Sequence, residues 1–324
     1  MLEIIDKLPE DITDALKLPI EAPDITPTGI VLGGMGGSAI GGDIVKTVAK
    51  GRMRIPFEVV REYEPPKWTG QQVLAVVVSY SGNTEEAISF YLKARKAGAS
   101  IVVITSNGEL ENLAKKDKFP CIKVPKGYPP RGAIAYLTFP VFRILKELKV
   151  LDIKEKEFKE VIELLENSKE VSKGWAKEMA KRIKEKIPFV YAETKLFPAA
   201  RRWVTQLNEN SKTLAHYAVF PELDHNELNG WYNPREILRR SIVFILRSRE
   251  EDEKMRKRIE ITKELIEANT GEIVQVFSEG TCLLSEIFSL IQKGDYLSYY
   301  LAVEYGVDPM PVQRIETLKE RMKE

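Results

Sequence analysis

Residues 73–84 read Val73-Leu74-Ala75-Val76-Val77-Val78-Ser79-Tyr80-Ser81-Gly82-Asn83-Thr84. The apolar run is continuous and valine-rich, with no polar residue on alternate positions. That pattern predicts a strand over 73–79 with both faces covered, as in a parallel sheet sandwiched by helices. A tight polar turn follows, and a helical stretch over 84–97 begins at once. Strand, polar turn and helix in that order make one βαβ step.

The same step repeats outward from this stretch. Further apolar runs lie at 29–32, 57–60, 101–105 and 121–124, with helical stretches at 38–49 and 109–116 between them. The second half shows it more loosely, with strands expected at 189–192, 217–220, 242–246 and 273–277. Helices are expected there at 196–214, 251–267 and 281–305, and a charged helical stretch, 154–185, separates the halves. A chain of 324 residues with 44% apolar content can fill two cores. The reading is α/β, two sandwiches of similar size with right-handed crossovers and a boundary near residue 150.

Charge and cysteine content narrow the function. Lys and Arg number 49 against 48 Asp and Glu, a net charge of +1. No broad positive field exists to attract nucleic acid or an anionic membrane, so neither is expected as a partner. Cys121 and Cys282 stand far apart in no ligand spacing, which argues against a disulfide scaffold and a zinc cluster. No metal and no cofactor is expected. The opening residues, MLEIIDKLPEDI, are acidic and lack the apolar run of a secretory leader. No apolar stretch approaches the roughly 18 residues of a membrane helix. The expectation is a soluble cytoplasmic protein.

Two glycine- or hydroxyl-rich turns follow strands. The first is Gly33-Gly34-Met35-Gly36-Gly37-Ser38-Ala39-Ile40-Gly41-Gly42. Small residues at a helix start let backbone N–H groups, here those near Gly36, Gly37 and Ser38, approach an anion. Gly34, Gly36 and Ala39 also fit a dinucleotide fingerprint, with Glu62 as a strained acidic partner. The second turn, 79–84, weighs against that reading. It places the hydroxyls of Ser79, Ser81 and Thr84 on one loop, a set of uncharged donors suited to phosphate oxygens. Helix capping alone would need one such residue rather than four in six.

Three further segments carry polar chemistry. Pro129-Pro130-Arg131-Gly132-Ala133 offers a guanidinium in a loop, which read alone is as compatible with exposure as with function. Asn208-Glu209-Asn210-Ser211-Lys212 lies on a helical stretch preceded by Arg201-Arg202-Trp203, where a Glu by itself is normally solvated. Pro221-Glu222-Leu223-Asp224-His225-Asn226 holds one of the two histidines; a polar loop after a strand favours a chemical role for His225. His216, beside the apolar run 217–220, reads as structural.

Taken together, these motifs resemble the sugar isomerase (SIS) domain family, and within it the bifunctional phosphoglucose/phosphomannose isomerases. The correspondence rests on Gly34-Met35-Gly36-Gly37-Ser38, on 79–84, on Pro130-Arg131, on Asn208-Glu209-Asn210 and on His225-Asn226, in that order. It runs from about residue 30 to the C-terminal helix.

The resemblance implies two SIS-type domains, 1–150 and 151–324, each with a parallel sheet of the five-stranded type. It also implies a homodimer whose active sites are shared, lying between domains and subunits. The substrate would be a sugar 6-phosphate, held by Gly36, Gly37, Ser38, Ser79, Ser81 and Thr84. Glu209 would be the base, Arg131 the cation that stabilises the intermediate, and His225 the ring-opening group, donated by the neighbouring subunit. Lys319 takes the place of a lysine that helps ring opening.

One position departs from the pattern. Seven residues before that lysine the family carries glutamine in glucose enzymes and threonine in bifunctional ones. Here it is Val312, with Gln313 beside it. Either a one-residue slip brings Gln313 into the pocket, or the pocket is drier there. A non-catalytic sugar-phosphate-binding regulator is the alternative, and an amino-sugar-phosphate enzyme of the same fold is a third reading.

Overall fold

The computed structural model describes residues 1–322, so the last two residues of the expected 151–324 domain lie outside it. The chain forms two compact units. One comprises Asp6–Glu166 with Cys282–Ser285; the other comprises Met1–Ile5, Asn167–Thr281 and Glu286–Glu324 as far as residue 322.

The first unit is built on five parallel strands: β1 (Gly29–Gly33), β2 (Phe57–Val60), β3 (Val73–Val78), β4 (Ser100–Thr105) and β5 (Cys121–Lys123). Their order is β2-β1-β3-β4-β5. Every residue of β1 and β3 is buried, as the unbroken apolar runs predict. One face carries Val31, Val73, Ala75, Val77, Ile101 and Val103 against the helices Glu85–Lys96 and Glu109–Asp117, through Phe90, Tyr91, Ala94 and Leu110. Each such aliphatic side chain, fully buried, contributes about 1.5–3 kcal/mol through lost apolar hydration.

The second unit has four parallel strands among the described residues: β6 (Ile187–Glu193), β7 (His216–Phe220), β8 (Ser241–Arg247) and β9 (Glu272–Phe277), in the order β7-β6-β8-β9. The expected pair of parallel sheets is present, and the five-strand expectation holds for the first sheet only. After β9 the chain runs into the helix Leu283–Tyr305, a 23-residue element rich in aliphatic and aromatic residues, and no further strand follows among the described residues.

Several helix boundaries differ from expectation by a residue or more, and two of them bear on the site. The helix expected over 196–214 is Phe197–Asn210. It stops because Lys212 adopts a left-handed conformation, φ +58°, which cannot continue a right-handed helix. The helix Gly36–Ala49 begins two residues earlier than expected, since Gly36 and Gly37 already form its first turn. Among the described residues no helix is long and apolar enough to cross a membrane.

Candidate active site

In the first sheet β2 lies on one side of β1 and β3 on the other, so the connections leaving β1 and β3 part in opposite directions. In open parallel sheets this switch point, beyond the carboxyl ends of the strands, is where ligands bind. Both glycine- and hydroxyl-rich turns leave the sheet there. They touch: a Cβ on Gly34 would lie 2.9 Å from the Val78 carbonyl oxygen.

Each turn opens a helix whose N-terminus no side chain closes. The helix Gly36–Ala49 has Met35 at its N-cap, with no side-chain cap. The helix Glu85–Lys96 has Thr84 at its N-cap, and the threonine hydroxyl does not bond back to the helix. It shares a hydrogen bond with Ser79 Oγ instead, at 2.9 Å. The first N–H groups of a helix have no intrahelical acceptor and sit at the positive end of its dipole. Two such ends side by side form a natural anion cradle. Ser38 and Ser79 are buried, Thr84 is half-buried and Ser81 is exposed, so the hydroxyls range from the floor of the turns to their rim.

The second turn is rigidly supported from below. Gly82 has φ +66°, and a Cβ there would fall 1.8 Å from the Asn107 carbonyl oxygen; only glycine fits. The Ser106 hydroxyl donates to the Tyr80 carbonyl at 2.7 Å. The Asn83 side chain accepts from the Glu109 N–H at 2.9 Å and so serves the following helix rather than a ligand.

Arg131 is brought to the same place. It lies in the short helical turn Pro130–Gly132, buried to 4% exposure. That turn packs on the first turn of the helix Gly36–Ala49, where a Cβ on Gly37 would meet the Pro130 carbonyl oxygen at 3.0 Å. Tyr80 joins the loops, its hydroxyl donating to the Pro125 carbonyl and accepting from the Tyr128 N–H, both at 2.9 Å. Tyr128 in turn donates to Asp11 at 2.6 Å, and Tyr136 donates to the same oxygen at 3.2 Å. Burial pushes the Asp11 carboxyl above its usual range, against the pull of the two tyrosine hydrogen bonds. Asp11, Tyr80 and Tyr128 escaped the sequence reading, although Tyr80 stands inside the decisive motif.

The second unit carries the other expected residues. Glu209 lies at the C-terminal end of the helix Phe197–Asn210 and is half-buried. The buried face of that helix is fixed to Leu283–Tyr305. Arg202, almost wholly buried, forms a two-pronged ion pair with Asp295, Nε to Oδ1 at 2.9 Å and Nη2 to Oδ2 at 2.7 Å. Trp203 Nε1 donates to the Leu290 carbonyl at 2.7 Å, and Asn210 Nδ2 donates to Ser298 Oγ at 2.9 Å. Seven residues are nearly two full turns, so Glu209 projects close to the line of Arg202, at the rim of the buried face.

His225 is exposed on the short turn Glu222–His225 after β7. Its neighbours are anchored on both sides. Asp224 accepts from Thr262 at 2.7 Å and from Arg258 at 3.0 Å. Glu227 accepts from the Tyr191 hydroxyl and pairs with His216 Nε2 at 3.0 Å. His216 is therefore half-exposed and paired with a carboxylate, with its ring edge-on to Phe189. Glu227 holds the His216 pKa above its usual value. Burial raises the Glu227 carboxyl, but the His216 and Tyr191 hydrogen bonds outweigh it and leave it below its usual value.

Lys319 lies on the C-terminal helix Gln313–Arg321, which has no buried residue. Val312 is the N-cap of that helix and is half-buried, whereas Gln313 is exposed. The second sheet has its own switch point, between β6 and β8, but the chain there offers Glu193, Lys195, Arg247 and Glu251. Lys195 pairs with Glu193 at 3.2 Å, and Arg247 pairs with Glu251 through Nε at 2.7 Å. A phosphate entering there would meet carboxylates. Among the described residues no three His, Cys, Asp or Glu side chains group as a metal site requires.

Comparison with known proteins gives the family. Residues 172–322 match the family described as the bacterial phospho-glucose isomerase C-terminal SIS domain. The chain is 35% identical to the bifunctional phosphoglucose/phosphomannose isomerase of Caldicellulosiruptor bescii, over 100% of this chain and 99% of that protein. It is also 35% identical to the enzyme of the same name from Aquifex aeolicus, over 99% of each. The fold matches the C-terminal domain of glucosamine-fructose-6-phosphate aminotransferase from Francisella tularensis with a TM-score of 0.75. That match covers 95% of this chain and 96% of the other at 15% identity. With full-length identity at this level and the SIS-type α/β architecture in place, the chain belongs to the bifunctional phosphoglucose/phosphomannose isomerase family.

Proposed function

We propose that this protein interconverts glucose 6-phosphate and mannose 6-phosphate with fructose 6-phosphate. The observation that carries the reading is the switch point of the first sheet. Two uncapped helix N-termini and the hydroxyls of Ser38, Ser79, Ser81 and Thr84 stand together there, with buried Arg131 packed against Gly37. In this reading domain 1–150 binds the phosphate and domain 151–324 supplies Glu209, His225 and Lys319.

The chemistry follows from the substrate. The phosphate is untouched; its binding positions the other end of the sugar. His225 and Lys319 open the ring by giving a proton to the ring oxygen and taking one from the anomeric hydroxyl. Glu209 then removes the proton from C2. The electron pair forms the C1–C2 double bond as the C1 carbonyl π pair moves onto O1, and Arg131 stabilises the negative charge of the resulting cis-enediol(ate). Glu209 returns the proton to C1 while the O2 hydroxyl passes its own proton to O1, and the ketose results. Run backwards, Glu209 takes a proton from C1 of fructose 6-phosphate, and C2 of the enediol(ate) can then be protonated from either face, which yields glucose or mannose phosphate when the C2–C3 bond turns.

The same reading makes the working form a homodimer with shared active sites. The C-terminal helix supports it, since Ile315, Leu318 and Met322 stand 42%, 59% and 60% exposed along one side of it. It also places the enzyme in the cytoplasm, where charged sugar phosphates are retained. One coupled assay tests the substrate assignment. Wild-type protein is expected to turn over glucose and mannose 6-phosphates but not glucosamine 6-phosphate, and Glu209→Gln to lose about 10²–10⁴-fold in kcat. Turnover of glucosamine 6-phosphate alone would overturn it.

A further inference from the structure

Lys212 occupies a position where glycine is the usual residue. It lies just past the helix that carries Glu209, at φ +58°, in the left-handed region that strains any residue with a Cβ. Strain of this kind persists only where something compensates it. Packing of the side-chain stem is not the compensation, because Lys212 is exposed.

The ammonium is. Lys212 Nζ donates to the carbonyl oxygens of Glu209 at 2.8 Å, Asn210 at 3.3 Å, Asp308 at 2.9 Å and Pro311 at 2.9 Å. Three N–H donors are thus shared over four main-chain acceptors. Two of these carbonyls belong to the last turn of the helix, where they lack intrahelical donors and carry the negative end of the dipole. The other two belong to the connection between the helices Leu283–Tyr305 and Gln313–Arg321. Asp308 shapes that connection by accepting from the Met310 N–H at 2.8 Å, and Pro311 leads directly into Val312.

We infer that Lys212 is a positioning residue for the isomerisation, whose ammonium ties the main chain at Glu209 to the 308–311 segment and so holds the base in register with Val312 and Lys319. The inference rests on the proposed role of Glu209. Because the phosphate contacts lie elsewhere in the sequence, loss of the tie is felt in the chemical step and not in ground-state binding. A lysine that served the fold alone would instead be felt in stability.

Lys212→Gly separates these cases. It removes the ammonium and relieves the left-handed strain at once, so stability is expected to change little. Expected for the full-length variant is a kcat lower by about tenfold to a hundredfold, as for a base displaced by a fraction of an ångström. KM for fructose 6-phosphate should stay within about threefold and Tm within about 3 °C. Lys212→Asn, also tolerant of the left-handed region, is read in the same way. Glu209→Gln is measured alongside. If Glu209→Gln is inactive while both Lys212 variants keep kcat within about threefold, the inference fails and the reading of Glu209 stands. If both variants lose their fold, or raise KM at unchanged kcat, the inference also fails, because Lys212 then serves stability or binding. If Glu209→Gln remains active, it is the reading of Glu209 that has failed.

Discussion

Gly37 and the Arg131 loop are in direct contact: a Cβ on Gly37 would lie 3.0 Å from the Pro130 carbonyl oxygen and 3.2 Å from Arg131 Cα. The first glycine-rich turn and the Arg131 loop are therefore one mechanical unit. Alanine suits a helical first turn, so Gly37→Ala should keep the fold, while the arginine loop must give by a few tenths of an ångström. Expected is a fall in kcat/KM of about tenfold, with Tm changed by no more than about 2 °C. Wild-type kinetics in this variant would mean that the placement of Arg131 is not critical.

The hydroxyl turn makes a second prediction. Ser81→Ala with Thr84→Ala removes two of the hydroxyls proposed to hold the phosphate and leaves Ser79 without its Thr84 partner. Hydrogen bonds to charged groups contribute about 1.5–3 kcal/mol each, so KM for fructose 6-phosphate should rise at least about tenfold. Circular dichroism should be unchanged, since neither hydroxyl supports the core. An unaltered KM would remove these residues from the phosphate site.

Shared sites make inactive variants complementary. If His225 works in a neighbouring subunit's site, mixed and exchanged Glu209→Gln and His225→Ala chains form heterodimers with one intact site. Recovery of part of the wild-type activity is expected. Mass spectrometry that shows exchange without any recovery would place both residues of a site in the same subunit.

Sugar choice turns on position 312. Val312 and threonine have nearly the same shape, so room for C2–C3 rotation is retained, and the lost hydroxyl is worth about 0.5–1.5 kcal/mol. Val312→Thr should change the glucose-to-mannose rate ratio by about tenfold or less. Val312 is also an N-cap without a side-chain acceptor, so threonine should stabilise the C-terminal helix by about 1 kcal/mol. Gln313 is exposed at the start of that helix, and Gln313→Ala is expected to leave the mannose rate unaltered. A mannose rate about a hundredfold below the glucose rate, raised by Gln313→Ala, would show that the glutamine fills the pocket.

The His216–Glu227 pair sets a pH dependence. Its hydrogen bond raises the His216 pKa above 6.5, so its stabilisation is full below pH 6.5 and fades as pH rises through the folded value. Glu227 is held below 4.5, so its contribution is present above pH 4.5 and fades as pH falls through its folded value. The pair is strongest from about pH 5 to 6.5. A half-exposed pair is worth about 1 kcal/mol or less, so Glu227→Gln should lower Tm by about 2 °C at pH 6 and by less at pH 8.5. A Tm difference constant across that range would show that the charge has no part in it.

Much of this molecule could be read before it was seen folded. The valine run ending at Ser79 is apolar on both faces, and burial on both faces is the defining property of a parallel strand between helix layers. Period alone therefore identified β3 and the sheet around it. The two turns were legible because glycine and hydroxyl residues at a strand–helix junction have few other uses. The motif order from Gly34 to Asn226 carried the family.

What the sequence could not give was adjacency. His216 read only as structural because it stands beside the apolar run 217–220, but β7 is an edge strand and the partner of His216, Glu227, comes from the following loop. Arg131 was ambiguous until Gly37 was found beneath it, and Lys212 carried no signal at all. Its meaning lies in carbonyls at positions 308 and 311, about a hundred residues away along the chain. Hydrophobic periodicity is a local property written in neighbouring residues. Hydrogen-bond satisfaction of an ammonium, a carboxylate or a helix end depends on which distant main chain arrives beside it, and only the tertiary structure decides that.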